Sequence, residues 1–235
     1  MRLRLHFSYI EDELNHLKKK DKRLAAAIEE IGPLTGWRVE PDIFSALVRH
    51  IAGQQISTQA QRRVWERILA GLGEVTPQNV SAAGLETMRS FGISFRKAEY
   101  ITELARKTTA GEFDPGRLWE MDDKAVIKEL CALRGIGVWT AEMLLIFSMQ
   151  RRDVLSFGDL GIRRGLRMLY RHREITQALF ERYRKRYSPC GSTASLYLWE
   201  IAGGALPSLT DPAPKAARKK AAPPRCQALP ERRPR

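Results

Sequence analysis

The sequence predicts an all-α protein, and three observations support this fold class. Apolar residues recur at the spacing of amphipathic helices along most of the chain. Ser, Thr and Asp residues stand where these periodic segments begin, which is typical of helix N-caps. Strand patterns are weak, since the alternation of Leu3, Leu5, Phe7 and Tyr9 indicates at most a short extended segment at the N-terminus.

The helices can be placed in chain order from these signals. The sequence predicts a helical segment over residues 11–31, broken near Asp21, and a helix that Pro41 opens and Gly53 ends. Further helices are expected at residues 58–72, 84–91, 95–109, 114–121, 126–133, 138–149, 176–187 and 192–201. Two more helices are expected to begin at Pro77 and at residue 160. Ser57, Thr76, Ser94, Asp122 and Asp159 are the expected caps.

Composition narrows the possible functions. The chain carries a net charge of +13, and residues 211–235 hold eight Lys or Arg against two Asp or Glu, which leaves +7 for the rest. A basic body with a basic tail favours a polyanionic partner. No apolar run is long enough to span a membrane, and three scattered cysteines indicate a reducing, intracellular location. Four dispersed histidines give no metal-ligand spacing, so we expect no cofactor.

A tight turn joins the two segments of residues 126–149. Gly135, Ile136 and Gly137 separate them, and glycine permits both positive φ and a close approach by another backbone. The amide N–H groups that open the second helix can bind an anion, which predicts a helix–hairpin–helix motif holding a DNA phosphate. An ordinary helix C-cap followed by an αα-hairpin is the alternative for these glycines taken by themselves.

An aspartate follows ten residues after the second hairpin helix. Asp159 lies between Gly158 and Leu160 and is a good N-cap for the next helix. A helix N-terminus stabilises the negative charge of a carboxylate. Such a carboxylate can stabilise positive charge that develops on a deoxyribose, or orient an attacking water, and the residues do not separate these two roles.

Five stretches of the sequence together resemble one family. They are Leu133-Arg134-Gly135-Ile136-Gly137-Val138-Trp139-Thr140-Ala141, Asp153-Val154, Gly158-Asp159-Leu160-Gly161-Ile162-Arg163-Arg164, Gly53-Gln54-Gln55-Ile56-Ser57 and Arg96-Lys97-Ala98-Glu99-Tyr100-Ile101. In their order along the chain, in which residues 53–57 and 96–101 precede the other three, they resemble the helix–hairpin–helix (Gly/Pro…Asp) DNA glycosylase superfamily, in its alkyladenine branch, over about residues 40–205.

The resemblance implies a monomeric base-excision repair enzyme whose partner is double-stranded DNA with damaged bases. It would flip alkylated purines of the 3-methyladenine and 7-methylguanine type and remove them by hydrolysis, leaving an abasic site. Asp159 would be the catalytic residue. The alternatives are a glycosylase for hypoxanthine, uracil or oxidised guanine, and a non-catalytic helix–hairpin–helix DNA-binding module.

The resemblance also assigns a base pocket to Trp139, Trp199 and Met143, although core packing is the ordinary explanation for either tryptophan. Charged alkylated purines are attracted to aromatic faces by cation–π contacts. Strand-cutting relatives carry a lysine at the position of Trp139, and tryptophan has no nucleophilic amine. The resemblance therefore implies a monofunctional glycosylase without lyase activity.

The remaining implied contacts are with the DNA backbone. The expected DNA-binding residues are Gly135, Ile136, Gly137, Thr140, Gln54, Gln55, Ile56, Ser57, Arg163 and Arg164. Gln55 matches the side chain that fills the gap left by a flipped nucleotide, whereas Arg163 and Arg164 could equally form a solvated helix face. The backbone carbonyls of Leu133 and Ile136 are expected to offer a site for a monovalent cation.

We expect two helical subdomains that flank a DNA-binding cleft. Residues 1–54 would pack with residues 156–205 in one subdomain, and residues 55–155 would form the other. Residues 211–235 are rich in Pro, Ala, Lys and Arg, which predicts a disordered basic tail.

Overall fold

The computed structural model describes residues 6–213, and helices dominate this part of the chain. They are α1 (Glu11–Lys20), α2 (Lys22–Ile31), α3 (Ile43–Gly53), α4 (Thr58–Leu72), α5 (Pro77–Ser90), α6 (Phe95–Thr109), a 3-10 helix (Gly116–Glu120), α7 (Asp123–Cys131), α8 (Val138–Phe147), α9 (Leu160–Tyr170), α10 (Gln177–Tyr187) and α11 (Gly191–Gly203). The predicted all-α class is confirmed. Of the extended segment expected at the N-terminus, the described residues contain an antiparallel bridge between His6 and Arg38.

Side-chain caps fix where most of these helices begin. The side chains of Asp21, Ser57, Thr76, Ser94, Asp122, Asp159 and Thr176 each accept a hydrogen bond from a backbone N–H in the first turn that follows. The predicted break near Asp21 is confirmed, because this residue ends α1 and caps α2. Gly84, with φ of +71°, interrupts α5 and explains why two helices were expected there.

Several predicted helices differ from the observed ones in their bounds or their type. Asp42 accepts the N–H of Ser45 at 2.6 Å, so α3 begins at Ile43 rather than at Pro41. The second hairpin helix stops at Phe147, because the N–H groups of residues 148 and 149 both turn to the carbonyl of Leu144. Residues 114–121 hold a shorter 3-10 helix in place of an α-helix.

The described residues divide into two compact units, and the first contains residues 6–39 and 150–213. In it α9 packs against α11, and α1 packs against α2. Its core holds buried aliphatic and aromatic side chains of all five helices, among them Leu17, Leu24, Ile162, Leu166, Phe180, Tyr187 and Tyr197. The hydroxyls of Tyr170 and Tyr187 lie 2.6 Å apart, which satisfies two polar groups inside this core.

The second unit contains residues 40–149. In it α5 packs on α6, α7 packs on α8, and α3 contacts α4, α6 and α8. These contacts place α3 in the second unit, whereas the sequence assigned residues 1–54 to the other subdomain. Among residues 6–213 there is no helix long and apolar enough to cross a membrane.

The first residues of the predicted tail, 211–213, are part of the folded first unit. Asp211 is buried, and its carboxylate accepts hydrogen bonds from Arg167 Nε at 2.9 Å and Nη2 at 2.8 Å. The backbone N–H of Ala213 also donates to Asp211 Oδ1 at 3.0 Å. Residues 211–213 therefore belong to the first unit, because an ion pair anchors them to α9. The rest of the predicted tail, residues 214–235, lies outside the described residues.

Candidate functional site

The carboxylate of Asp159 lies at the N-terminus of α9 and is 5% exposed. Its Oδ1 accepts hydrogen bonds from the backbone N–H of Ile162 at 2.8 Å and from the indole Nε1 of Trp199 at 2.9 Å. The positive end of the helix dipole adds to these donors in stabilising a negative charge. The predicted N-cap is thus confirmed, and the same contacts fix the orientation of the carboxylate.

Two glycines of α9 let α11 approach closely enough for this contact. A Cβ on Gly161 would stand 2.8 Å from Cδ1 of Trp199 and 3.1 Å from Oδ1 of Asp159. One turn later, a Cβ on Gly165 would stand 2.3 Å from the carbonyl oxygen of Leu198. Residues four apart share one face of a helix, so both glycines face α11. The pairing of Asp159 with Trp199 therefore depends on glycine at both positions.

Trp37 is a member of this site that the sequence did not reveal. Its ring stacks on Trp199, with centroids 5.5 Å apart and an interplanar angle of 29°. Burial raises the pKa of Glu200, the next residue on α11, and a hydrogen bond from Trp37 opposes that shift. Trp37 lies before α3 in a segment without helical periodicity, and no motif around it distinguishes it from a core residue.

The hairpin between α7 and α8 turns at Gly135, whose φ is +84°. The N–H of Ile136 donates to the carbonyl of Leu133 at 3.2 Å and closes the turn. A Cβ on Gly135 would stand 2.2 Å from Cδ2 of Tyr100, so the turn packs directly on this ring of α6. Gly137 is the N-cap of α8 and has no atom within 4 Å of its would-be Cβ. This open helix N-terminus fits the predicted anion site.

The loop between α3 and α4 lies against this hairpin. The side-chain Nε2 of Gln54 donates to the carbonyl of Gly135 at 2.7 Å. Gln55 follows with φ of +57° and an exposed side chain, while Ile56 is half-buried and Ser57 caps α4. The structure therefore brings together two segments that the sequence predicted separately as DNA-binding, residues 53–57 and the hairpin.

The three predicted contact residues of α8 differ in exposure. Trp139 is half-buried in the first turn. Thr140 is 4% exposed and Met143 is fully buried, so their side chains pack inside the second unit. The reason is that nearly every face of α8 is apolar and covered by protein. The described structure therefore gives Met143 no exposed atom with which to contact a base.

The two adjacent arginines of α9 have different surroundings. The guanidinium carbon of Arg163 lies 5.1 Å from the ring centroid of Phe157, whereas the Nε atoms of Arg163 and Arg164 are both buried without a hydrogen-bond partner. Arg164 Nε lies 3.7 Å from Oδ2 of Asp211. Arg164 is therefore partly committed to an ion pair within its own unit. For Arg163 a phosphate contact stays a prediction.

The predicted cation site at the hairpin consists of backbone atoms. The carbonyl of Leu133 accepts the turn hydrogen bond from Ile136, and a carbonyl oxygen has a second lone pair to offer a cation. Within residues 6–213, no three His, Cys, Asp or Glu side chains gather in a way that could hold a metal ion.

Comparisons with known proteins match this geometry to a family. The sequence profile described as "HhH-GPD superfamily base excision DNA repair protein" matches residues 48–189. The chain is 31% identical to "DNA-3-methyladenine glycosylase 1" of Schizosaccharomyces pombe over 196 residues, which cover 81% of this chain and 85% of the relative.

Solved structures show the same likeness. The crystal structure of a DNA-3-methyladenine glycosidase from Bacillus halodurans matches with a TM-score of 0.75 and 35% identity, covering 84% of this chain and 92% of that one. The Schizosaccharomyces pombe 3-methyladenine DNA glycosylase Mag1, in complex with abasic DNA, matches with a TM-score of 0.70 and 28% identity. That match covers 80% of this chain and 95% of the other.

Proposed function

The chain belongs to the HhH-GPD superfamily of base excision DNA repair proteins, and from this premise we propose that it removes alkylated purines from duplex DNA. The relatives named after 3-methyladenine support this substrate class. The observation that carries the proposal is the carboxylate of Asp159, which the N-terminus of α9 and the indole of Trp199 hold in one orientation.

The chemistry is hydrolysis of an N-glycosidic bond. The bond between C1′ and the purine nitrogen breaks, the base leaves with the electron pair, and positive charge develops on the deoxyribose. The Asp159 carboxylate stabilises this charge, and it does so best when its own orientation is fixed before the reaction. Water then adds to C1′ and loses a proton, which leaves an abasic site.

An enzyme of this kind must take its target out of the base stack. The damaged nucleotide rotates out of the duplex, and Gln55 is the candidate side chain for the vacated space. Its exposed position at φ of +57°, beside the hairpin, supports that role. The hairpin amides and the net charge of +13 support binding of the DNA phosphate backbone, and such binding does not depend on the base sequence of the DNA.

The flipped base would be recognised by aromatic side chains. Alkylated purines carry positive charge and are attracted to indole faces by cation–π contacts. Trp139 is the main candidate. Trp199 stacks on Trp37 and donates a hydrogen bond from its indole N–H to Asp159. These contacts support a role for Trp199 in orienting the carboxylate.

We further propose that the enzyme has no lyase activity. A lyase needs a neutral amine that attacks C1′ to form a Schiff base. Position 139, where the family resemblance implies a lysine in strand-cutting relatives, holds a tryptophan in this chain. Lys97 donates to two backbone carbonyls within its own unit, which supports a structural use of that amine. Water is therefore the expected nucleophile.

A base-release assay tests the proposed function. Purified protein is incubated with duplexes that each carry one lesion: 3-methyladenine, 7-methylguanine, hypoxanthine, uracil or 8-oxoguanine. Free bases are separated by chromatography, and abasic strands are revealed by alkaline cleavage. We expect release of the two methylated purines. Release confined to uracil or 8-oxoguanine, or no release from any duplex, would overturn the proposal.

A further inference from the structure

The side chain of Lys97 extends from α6 to the C-terminal end of α3. Its Nζ donates to the carbonyl of Ala52 at 3.0 Å and to the carbonyl of Gln54 at 2.6 Å. Ala52 lies in the last turn of α3, and Gln54 is the C-cap residue of that helix. Lys97 therefore satisfies two of the carbonyls that a helix leaves without intrahelical partners at its C-terminus.

These contacts hold the segment that leads into Gln55. A positive amine at a helix C-terminus also interacts favourably with the negative end of the helix dipole. Lys97 is only half-buried, and burial lowers its pKa. An amine in this position gives up part of its hydration in exchange for the two carbonyls. The backbone before Gln55 is thus fixed by a specific side chain.

The same segment is linked to the hairpin by a second contact. Gln54 Nε2 donates to the carbonyl of Gly135, the residue on which the hairpin turns. Tyr100, one turn beyond Lys97 on α6, packs against Gly135. One face of α6 thus contacts both segments, through Lys97 on the loop and through Tyr100 on the hairpin.

We infer that Lys97 is a positioning residue for DNA binding. It holds the loop of residues 53–57 in a fixed position relative to the hairpin, through the contact of Gln54 with the hairpin. The inference rests on the proposed function in assuming that both segments contact DNA. A phosphate held at the hairpin and a side chain inserted by the loop must fit one duplex at the same time. Loss of the Lys97 amine frees the loop and weakens that joint fit.

The experiment compares Lys97→Met with Lys107→Met. Both variants remove one positive charge from α6, but Lys107 pairs with Glu103 at 3.7 Å and contacts neither carbonyl of the loop. Fluorescence anisotropy measures the affinity for a duplex that carries a stable abasic-site analogue, well below the Tm of every variant. We expect Lys97→Met to bind about tenfold more weakly than Lys107→Met, with partial recovery in Lys97→Arg. Equal affinities of the two methionine variants would overturn the inference.

A double-mutant cycle with Gln54→Met tests the route through Gln54. If Lys97 acts by placing Gln54 against the hairpin, the double variant should bind only slightly more weakly than either single variant. Additive losses would overturn the coupling. Should Lys97→Met fail to fold, Gln54→Met is compared with Gln59→Met, an exposed glutamine in the first turn of α4. Equal affinities in that pair would also overturn the inference.

Binding to the abasic analogue requires no base release. A wild-type protein that binds this duplex but releases no methylated purine would contradict the proposed function. The affinities of the Lys97 and Lys107 variants could still be compared. Where release does occur, its single-turnover rate constant gives a second measurement. A role in the stability of α3 by itself would lower Tm for Lys97→Met without changing either the affinity or this rate constant, and that result would overturn the inference.

Discussion

The indole Nε1 of Trp199 donates to Oδ1 of Asp159 across 2.9 Å, and this contact joins α11 to the N-terminus of α9. Trp37 stacks on the Trp199 ring and restrains its plane. Gly161 and Gly165 leave the space in which the two helices meet. The orientation of one carboxylate therefore depends on residues from three separate parts of the sequence.

Trp199→Phe removes the N–H donor and keeps an aromatic ring against Trp37. A hydrogen bond to a charged group contributes about 1.5–3 kcal/mol, so we expect single-turnover base release to slow by about tenfold or more. The Tm should change little, since the ring still packs. Trp119→Phe, which alters a half-exposed tryptophan of the 3-10 helix, is the control. An unchanged rate in Trp199→Phe would show that the indole does not assist Asp159.

The two hairpin glycines should respond differently to substitution. Gly135→Ala forces a side chain into positive φ and against Tyr100, so we expect it to destabilise the fold by about 1–3 kcal/mol. A Cβ at Gly137 would meet no atom within 4 Å, so we expect Gly137→Leu to preserve the Tm. Its side chain instead occupies the space that a phosphate would take. Because phosphate contacts are independent of sequence, it should weaken binding of damaged and undamaged duplexes alike, by about tenfold.

Thermal unfolding and anisotropy titrations on both duplexes check these expectations. Gly137→Leu with unchanged affinity would contradict an anion site at the start of α8. Gly135→Ala with a wild-type Tm would show that Tyr100 can move aside at little cost.

The ion pair of Asp211 predicts a dependence of stability on pH. Burial by itself raises the pKa of Asp211, but hydrogen bonds from Arg167 and the Ala213 N–H, with the charge of Arg164, hold it below the ordinary 3.8. A lowered folded-state pKa stabilises the fold above the unfolded-state pKa, and this stability is lost as pH falls through the folded-state value. Asp211→Asn should therefore cost about 2 kcal/mol at pH 7.

Urea unfolding at several pH values measures this difference. The free energies of unfolding of wild type and Asp211→Asn should approach each other as pH falls below about 3.8 and should meet only below the folded-state pKa of Asp211. A constant difference at all pH values would mean that packing of residues 211–213, rather than the charge of Asp211, gives the stability.

Much of this structure could be predicted from local sequence signals. Ser57, Thr76, Ser94, Asp122 and Asp159 cap helices as expected, because capping depends on a side chain and the N–H groups two or three residues later. The turn at Gly135 was also expected, since glycine tolerates its positive φ.

Contacts between distant segments could not be predicted in the same way. Trp37 reaches Trp199 only after α2 and α11 have packed, and Lys97 reaches the carbonyl of Gln54 across 43 positions of sequence. The sequence assigns Asp211 to the basic tail because the arginines that pair with it, Arg164 and Arg167, lie far away in the sequence on α9. Each of these contacts follows from tertiary packing, which no local spacing records.

The nature of the product tests whether a lysine takes part in the reaction. With water as the nucleophile, the strand stays intact at the abasic site, and borohydride should trap no covalent complex between the enzyme and a lesion duplex. A known glycosylase/lyase serves as the positive control. Trapping at a yield comparable to base release would contradict the proposal that position 139 leaves the enzyme without a lyase amine.

The most direct test of the central claim is single-turnover release of 3-methyladenine by Asp159→Asn. Asparagine keeps an oxygen that accepts from Ile162 and Trp199, so the fold and the affinity for duplex DNA should stay near wild type. It lacks the negative charge that stabilises the deoxyribose cation, and we expect the rate constant to fall by at least about 10²-fold. Release at the wild-type rate, from a variant that binds DNA normally, would contradict the assignment of Asp159 as the catalytic residue.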